Sequence, residues 1–125
     1  MKRIMSTKNA PAAIGPYSQA VDTGDLVFVA GQVPIVPALG KIVEEGIAGQ
    51  TRQVLENIKA ILSVADLELE HVVKTTVFLT SMGDFREMNE VYAEYFSTDP
   101  PARATVEVSA LPLGARVEIE AVARK

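Results

Sequence analysis

The chain contains no cysteine and no tryptophan, and only one histidine. Without cysteine there is no disulfide framework, no thiolate zinc site and no cysteine nucleophile, which suits a reducing compartment. With a single histidine, transition-metal ligation would fall to carboxylates alone, so no metal site is expected. That histidine, His71, stands between Glu70 and Val72 at a helix-to-strand junction and reads as a surface residue beside acids. A serine triad would need it next to a serine on a Gly-x-Ser-x-Gly elbow, a pattern the sequence lacks. Glycine-rich phosphate loops and dinucleotide fingerprints are missing as well, so no cofactor is expected. Nowhere do about 18 apolar residues run together, which excludes a membrane-spanning helix. Met1 to Lys8 is basic but has no apolar core of the signal-peptide kind, and a cytoplasmic protein is the expectation. The net charge is −4 and there is no basic block, so a nucleic-acid partner gains little electrostatic support.

What is present is 125 residues of ordinary globular composition, read as one domain over 1–125 that buries roughly two-thirds of its unfolded surface. Lys2 to Thr7 suits a short edge strand. A loop follows, with Gly15-Pro16 as its turn signal. Ser18 to Val21 and Leu26 to Ala30 read as a hairpin turned at Thr23-Gly24-Asp25. Gly31-Gln32-Val33-Pro34 then breaks the strand, and Gly31 either makes a bulge or lets a ligand approach the backbone. Pro37 to Gly46 reads as loop. Val54, Leu55, Ile58, Ile61, Leu62 and Ala65 recur at helical spacing, giving an amphipathic helix over Thr51 to Ala65.

His71 to Leu79 is expected to be a strand with Val73, Thr75, Val77 and Leu79 on one face. Asp84-Phe85-Arg86-Glu87 has the form of a capping box with Asp84 as cap. The helix it opens carries a stripe of Phe85, Met88, Tyr92, Tyr95 and Phe96, with Asn89 beside it. After Pro100-Pro101 a strand alternates Ala104, Val106 and Val108 against Arg103, Thr105 and Glu107. Arg116 to Ala123 is the last strand, and it closes a second hairpin. The order β-β-α-β-α-β-β, with room for an extra N-terminal strand, describes an α+β two-layer sandwich: one mixed sheet with two helices on one face. The other face would show Lys74, Arg103, Glu107, Glu118 and Glu120 among Phe78 and Val122. Such a face is either wet or a subunit interface with its charges paired; polar rows beside apolar ones favour the interface.

Arg103 is either a solvated edge charge or a fixed guanidinium fork awaiting a planar anion such as a carboxylate. Elimination of metals, triads and cofactors leaves Arg103, Glu118 and Tyr17, with the Gly31 backbone, as the set that could carry chemistry. An arginine holds a carboxylate with two parallel hydrogen bonds, and a glutamate at a pocket mouth can position and deprotonate a water. This set suits hydrolysis of a small acid that is already electrophilic. Amide or phosphoester cleavage would demand a stronger nucleophile or a metal.

Long stretches of the sequence resemble the RidA/YjgF family, the reactive-intermediate imine deaminases. They are Asn9-Ala10-Pro11-Ala12-Ala13-Ile14-Gly15-Pro16-Tyr17-Ser18-Gln19, then Ala30-Gly31-Gln32-Val33-Pro34, the helix Gln53 to Leu62, the strand Val73 to Leu79, and Pro101-Ala102-Arg103 through Glu107-Val108 with Leu111-Pro112 and Val117 to Ala121. The resemblance implies a chorismate-mutase-like fold and a homotrimer with ligand sites in the clefts between subunits. It also implies hydrolysis of 2-iminobutanoate and 2-iminopropanoate to 2-keto acids and ammonia, which protects pyridoxal-phosphate enzymes. By the same resemblance, Arg103 matches the carboxylate-binding arginine, Glu118 the glutamate that orients water, Tyr17 a pocket tyrosine, Gly31 the glycine whose backbone meets the substrate, and Asn89 a pocket asparagine. Thr105 falls where many members carry cysteine and Ala30 where some carry serine, so any thiol chemistry and one hydroxyl contact are missing here. A keto-acid-binding regulatory trimer without catalysis, and a ribonuclease or translation inhibitor, are the alternatives.

Overall fold

A computed structural model describes residues 2–125; Met1, where the basic opening stretch begins, lies outside them. Six strands form one sheet in the order β1-β2-β3-β8-β6-β7. These are β1 (Arg3–Met5), β2 (Ala20–Asp22), β3 (Leu26–Gln32), β6 (Val72–Leu79), β7 (Ala102–Glu107) and β8 (Val117–Arg124). All neighbours are antiparallel except β6 and β7, which run parallel. A parallel pair needs a crossover, and α2 (Phe85–Tyr95) supplies it. Helix α1 (Ile47–Ser63) packs beside α2 on the same sheet face, so the two-layer α+β sandwich is as expected.

The helical spacing read in the sequence is the buried stripe of α1: Val54, Leu55, Ile58, Ile61 and Leu62 are all within 1% of full burial. They meet Val27, Val29, Val77, Leu79, Val117, Ile119, Ala121 and Ala123, the inward residues of the central strands. Burying a Leu or Ile side chain stabilises the fold by about 1.5–3 kcal/mol, so this layer dominates the stability.

Several expectations need correction. The last two strands do not pair as a hairpin: β7 is the sheet edge beside β6, and β8 inserts between β3 and β6. The loop between them turns at Leu113 and Gly114, both at positive φ, and carries the chain back past β6. The stretch read as loop from Pro37 contains half of a small hairpin of β4 (Ile35–Val36) and β5 (Lys41–Ile42). Val73 is exposed and Val72 buried, because Val72 pairs with Ala123 and Lys74 with Val122, leaving Val73 as an unpaired bulge residue. Asp84 makes no capping hydrogen bond to α2; its carboxylate accepts both Nε (3.2 Å) and Nη2 (2.7 Å) of Arg116 instead.

The largest correction concerns β7. Arg103 and Thr105 stand level with Thr75 and Val77 of β6, whose side chains are core. Arg103 and Glu107 therefore lie on the helix-bearing face, while Ala104 and Val106 are exposed on the open one. The open face keeps Lys74, Phe78, Glu118, Glu120 and Val122, as the pairings of Phe78 with Glu118 and Lys74 with Val122 require.

Candidate active site

The site residues predicted from sequence fall into two groups. Tyr17, Gly31 and Glu118 line one cavity of about 370 Å³, walled by Ile14, Val33, Ile35, Pro112 and Leu113. The β3–β8 register slips between Val29 and Gln32, which swings Gly31 against Glu118. The bulge reading of Gly31 thus holds, and the group that closes on its bare backbone is the Glu118 side chain. Burial pushes the Glu118 carboxyl above the usual carboxylate range, and the charge of Glu120 adds to the shift. A carboxyl so displaced is a better proton acceptor than an ordinary carboxylate.

Tyr17 is in the loop before β2, half exposed at the cavity wall. Its hydroxyl accepts the Ile14 N–H at 3.3 Å, and its own N–H reaches Gly15 O at 2.8 Å. The phenol so pinned keeps its own O–H free to donate.

Arg103, Thr105 and Asn89 form the second group, between β7 and α2. The Arg103 guanidinium lies 4.7 Å from the centre of the Tyr92 ring and 5.7 Å from that of Phe85. Among the described residues no carboxylate or other side chain bonds it, so its planar donors are unspent. Asn89 shares the α2 face of Phe85 and Tyr92 by helical spacing. Asn89 Oδ1 and Thr105 Oγ1 are buried without a hydrogen-bond partner. Buried polar atoms without a partner are rare and costly, so two of them on the elements that carry Arg103 and Tyr92 leave hydrogen-bonding capacity unspent there.

Arg103 and Glu118 thus occupy opposite faces of the sheet, and the predicted set does not converge within the chain.

The model of the family described as endoribonuclease L-PSP matches residues 7–125. The chain belongs to this family, that of the RidA/YjgF proteins. A RutC family protein of Pyrococcus horikoshii is 58% identical over 125 residues, covering all of this chain and 99% of that protein. Human 2-iminobutanoate/2-iminopropanoate deaminase is 46% identical over 123 residues, covering 98% of this chain and 90% of that protein. Among solved structures, E. coli TdcF with bound serine matches with a TM-score of 0.94 at 43% identity, over 98% of both chains. The fold is the chorismate-mutase-like one of the RidA/YjgF proteins.

Sequence reasoning missed several residues that line the Glu118 cavity or hold its walls and the Arg103 head. Gln19 closes the long N-terminal signature: its side chain is buried, donates to the carbonyls of Thr7, Ala10 and Pro11, and accepts the Thr7 N–H at 2.7 Å. It fastens the loop that carries Tyr17. Ile14 and Leu113 line the cavity yet are 72% and 61% exposed, and apolar side chains in otherwise polar turns were the available signal. The helical stripe marks Tyr92 and Phe85 only as core.

Proposed function

We propose that the chain is an imine hydrolase of small 2-imino acids. It converts 2-iminobutanoate and 2-iminopropanoate to the 2-keto acids and ammonia, and so protects pyridoxal-phosphate enzymes from them. The observation that carries the reading is the Arg103 guanidinium, half-buried on aromatic rings with every planar donor unengaged among the described residues. Such a fork matches a carboxylate, and each charge-assisted hydrogen bond to it contributes about 1.5–3 kcal/mol. Support comes from the 46% identical human protein, which bears that activity in its name, and from the E. coli relative with a bound amino acid.

The opposed placement of Arg103 and Glu118 favours assembly. The open sheet face carries an apolar row of Ile4, Val21, Phe28 and Val122 on adjacent strands, ending at Lys74. With Phe28 46% and Ile4 53% exposed, this row favours burial against further copies of the chain. In the proposed homotrimer, the Glu118 cavity of one protomer is completed by the Arg103 edge of the next. The trimer is cytoplasmic and acts without nucleic acid; no helix among the described residues is long and apolar enough to cross a membrane.

In the proposed reaction Arg103 grips the substrate carboxylate. Water held by Glu118 and the backbone carbonyl near Thr105 gives a proton to Glu118 and attacks the iminium carbon. A C–O bond forms and the C=N bond becomes single. The carbinolamine takes the proton back on nitrogen; as the C–N bond breaks, its hydroxyl gives its proton to Glu118 and becomes the keto C=O, and the departing ammonia carries that proton away as ammonium. The iminium is the electrophile, so the residues need only orient water and balance charge. Supplying the imine from threonine and threonine dehydratase, and following its decay, tests the reading. Acceleration by the parent and a marked rise in KM in Arg103→Ala are expected; an Arg103→Ala variant as fast as the parent removes the clamp.

The family also carries the name of an endoribonuclease. With a net charge of −4 and no basic stripe, RNA has little to hold it. RNA cleavage with a steep salt dependence, and no effect on imine decay, would replace the deaminase reading.

A further inference from the structure

Arg103 sits on a sheet edge, where a long side chain without an acid partner has many rotamers open to it. Here it does not swing free. Its guanidinium faces Tyr92 at 4.7 Å and Phe85 at 5.7 Å. Tyr92 is in turn pinned. Its hydroxyl shares a buried 2.7 Å hydrogen bond with Thr75, and Phe96 lies 4.6 Å from it, ring centre to ring centre, tilted by 40°. Thr75 is the residue level with Arg103 in the parallel β6–β7 pair. One strand pair therefore fixes both the root of the arginine and the ring under its head.

The chemistry of this support differs from that of an ion pair. A carboxylate partner would consume the N–H donors that a ligand needs. An aromatic ring takes the flat face of the guanidinium and leaves its edge, where all the donors point, available. We propose that Tyr92, anchored by Thr75 and flanked by Phe85, is the positioning residue that presents the Arg103 fork to the substrate carboxylate. This rests on the carboxylate-clamp reading above. Tyr92 also belongs to the hydrophobic core, so its test must separate holding the arginine from holding the fold.

The experiment measures kcat and KM with dehydratase-generated 2-iminobutanoate for the parent, Tyr92→Phe and Phe85→Leu. Each substitution is made with Arg103 present and in an Arg103→Ala background. Side-chain ¹⁵N relaxation of Arg103 Nε is recorded alongside. Phe85→Leu is expected to raise KM about fivefold, the scale of one cation–π contact, with kcat nearly unchanged. Tyr92→Phe keeps the ring but frees it from Thr75, and gives a smaller rise in KM. Both make Arg103 Nε more mobile, and neither alters KM once Arg103 is gone. A merely structural role predicts the same proportional change in both backgrounds and an unmoved Nε signal, and either result overturns the proposal. If the parent does not accelerate imine decay, the functional reading fails, and Nε mobility alone decides the positioning role.

Discussion

Glu118 lies against the bare backbone of Gly31, where an added methyl group would stand 2.9 Å from the Glu118 carboxyl carbon and 3.3 Å from its Cγ. The φ of Gly31 is not positive, so alanine meets no backbone strain there. What must move is the far end of a flexible side chain, which costs the fold little. Gly31→Ala is therefore expected to leave the melting temperature almost unchanged and to reduce kcat by about 10²-fold, the low end of general acid–base assistance. Retained kcat would mean that Glu118 need not stand where it does.

The raised Glu118 carboxyl fixes a pH dependence in two directions. Water activation needs the carboxylate, so kcat should rise with pH through a midpoint above the usual carboxylate range. Glu118→Gln should lose that limb. For stability the sign is opposite. A folded-state pKa above the unfolded value gives stability that is complete below the unfolded pKa, about 4.3 for Glu, and is lost as pH rises through the folded value. Glu118→Gln should therefore be more stable than the parent at neutral pH, with the gain vanishing in acid. Urea unfolding at several pH values checks this.

Helix α1 was legible because its information is local: a 3.6-residue apolar repeat holds whatever it packs on. The inward residues of β8 and the Thr23–Asp25 turn were legible for the same reason. Arg103 was placed on the wrong face because charge served as the marker for solvent, whereas here Tyr92 and Phe85 cover the guanidinium. Which face of β7 is covered depends on pairing with β6 and on the position of α2, and alternation within Ala102–Glu107 does not carry that. Asp84 failed as a cap because Arg116, 32 residues on, captures its carboxylate. Elimination points to Arg103, Glu118, Tyr17 and Gly31 as candidates and the family likeness adds Asn89 and Thr105; their division between two faces of the sheet is visible only in three dimensions.

Asp22 ties both ends of the described chain together. Its carboxylate is 3% exposed and meets Lys125 Nζ at 2.6 Å, Arg3 Nη2 at 3.1 Å and the Gly24 N–H at 2.8 Å. The Lys125 hydrogen bond, then that of Gly24, holds its pKa below the ordinary carboxylate value. A depressed pKa gives stability that is present above the unfolded value and lost as pH falls through the folded one. Asp22→Asn should lower the melting temperature at neutral pH, and the difference from the parent should close in acid. The lysine and arginine are 36% and 69% exposed, so added salt should also narrow the gap.

Asn57 is a deeply buried polar residue of α1 that reaches the Glu118 cavity from behind. It is 1% exposed, donates to the carbonyls of Val33 (3.3 Å) and Ile35 (3.0 Å), and accepts from Gln53 Nε2 at 3.0 Å. Val33 and Ile35 are walls of the Glu118 cavity, so one amide joins the stable helix layer to the site. Asn57→Leu keeps the volume but strips the Ile35 carbonyl of its donor, whereas Val33 O keeps the Ile35 N–H at 2.8 Å, at a cost of about 1–3 kcal/mol. The loss should appear in urea unfolding together with a higher KM, because the wall it held is free to shift. Gln53→Ala, which leaves both carbonyls bonded, should not raise KM. Equal stability of Asn57→Leu and the parent would show that the β3–β4 segment holds its shape without the helix.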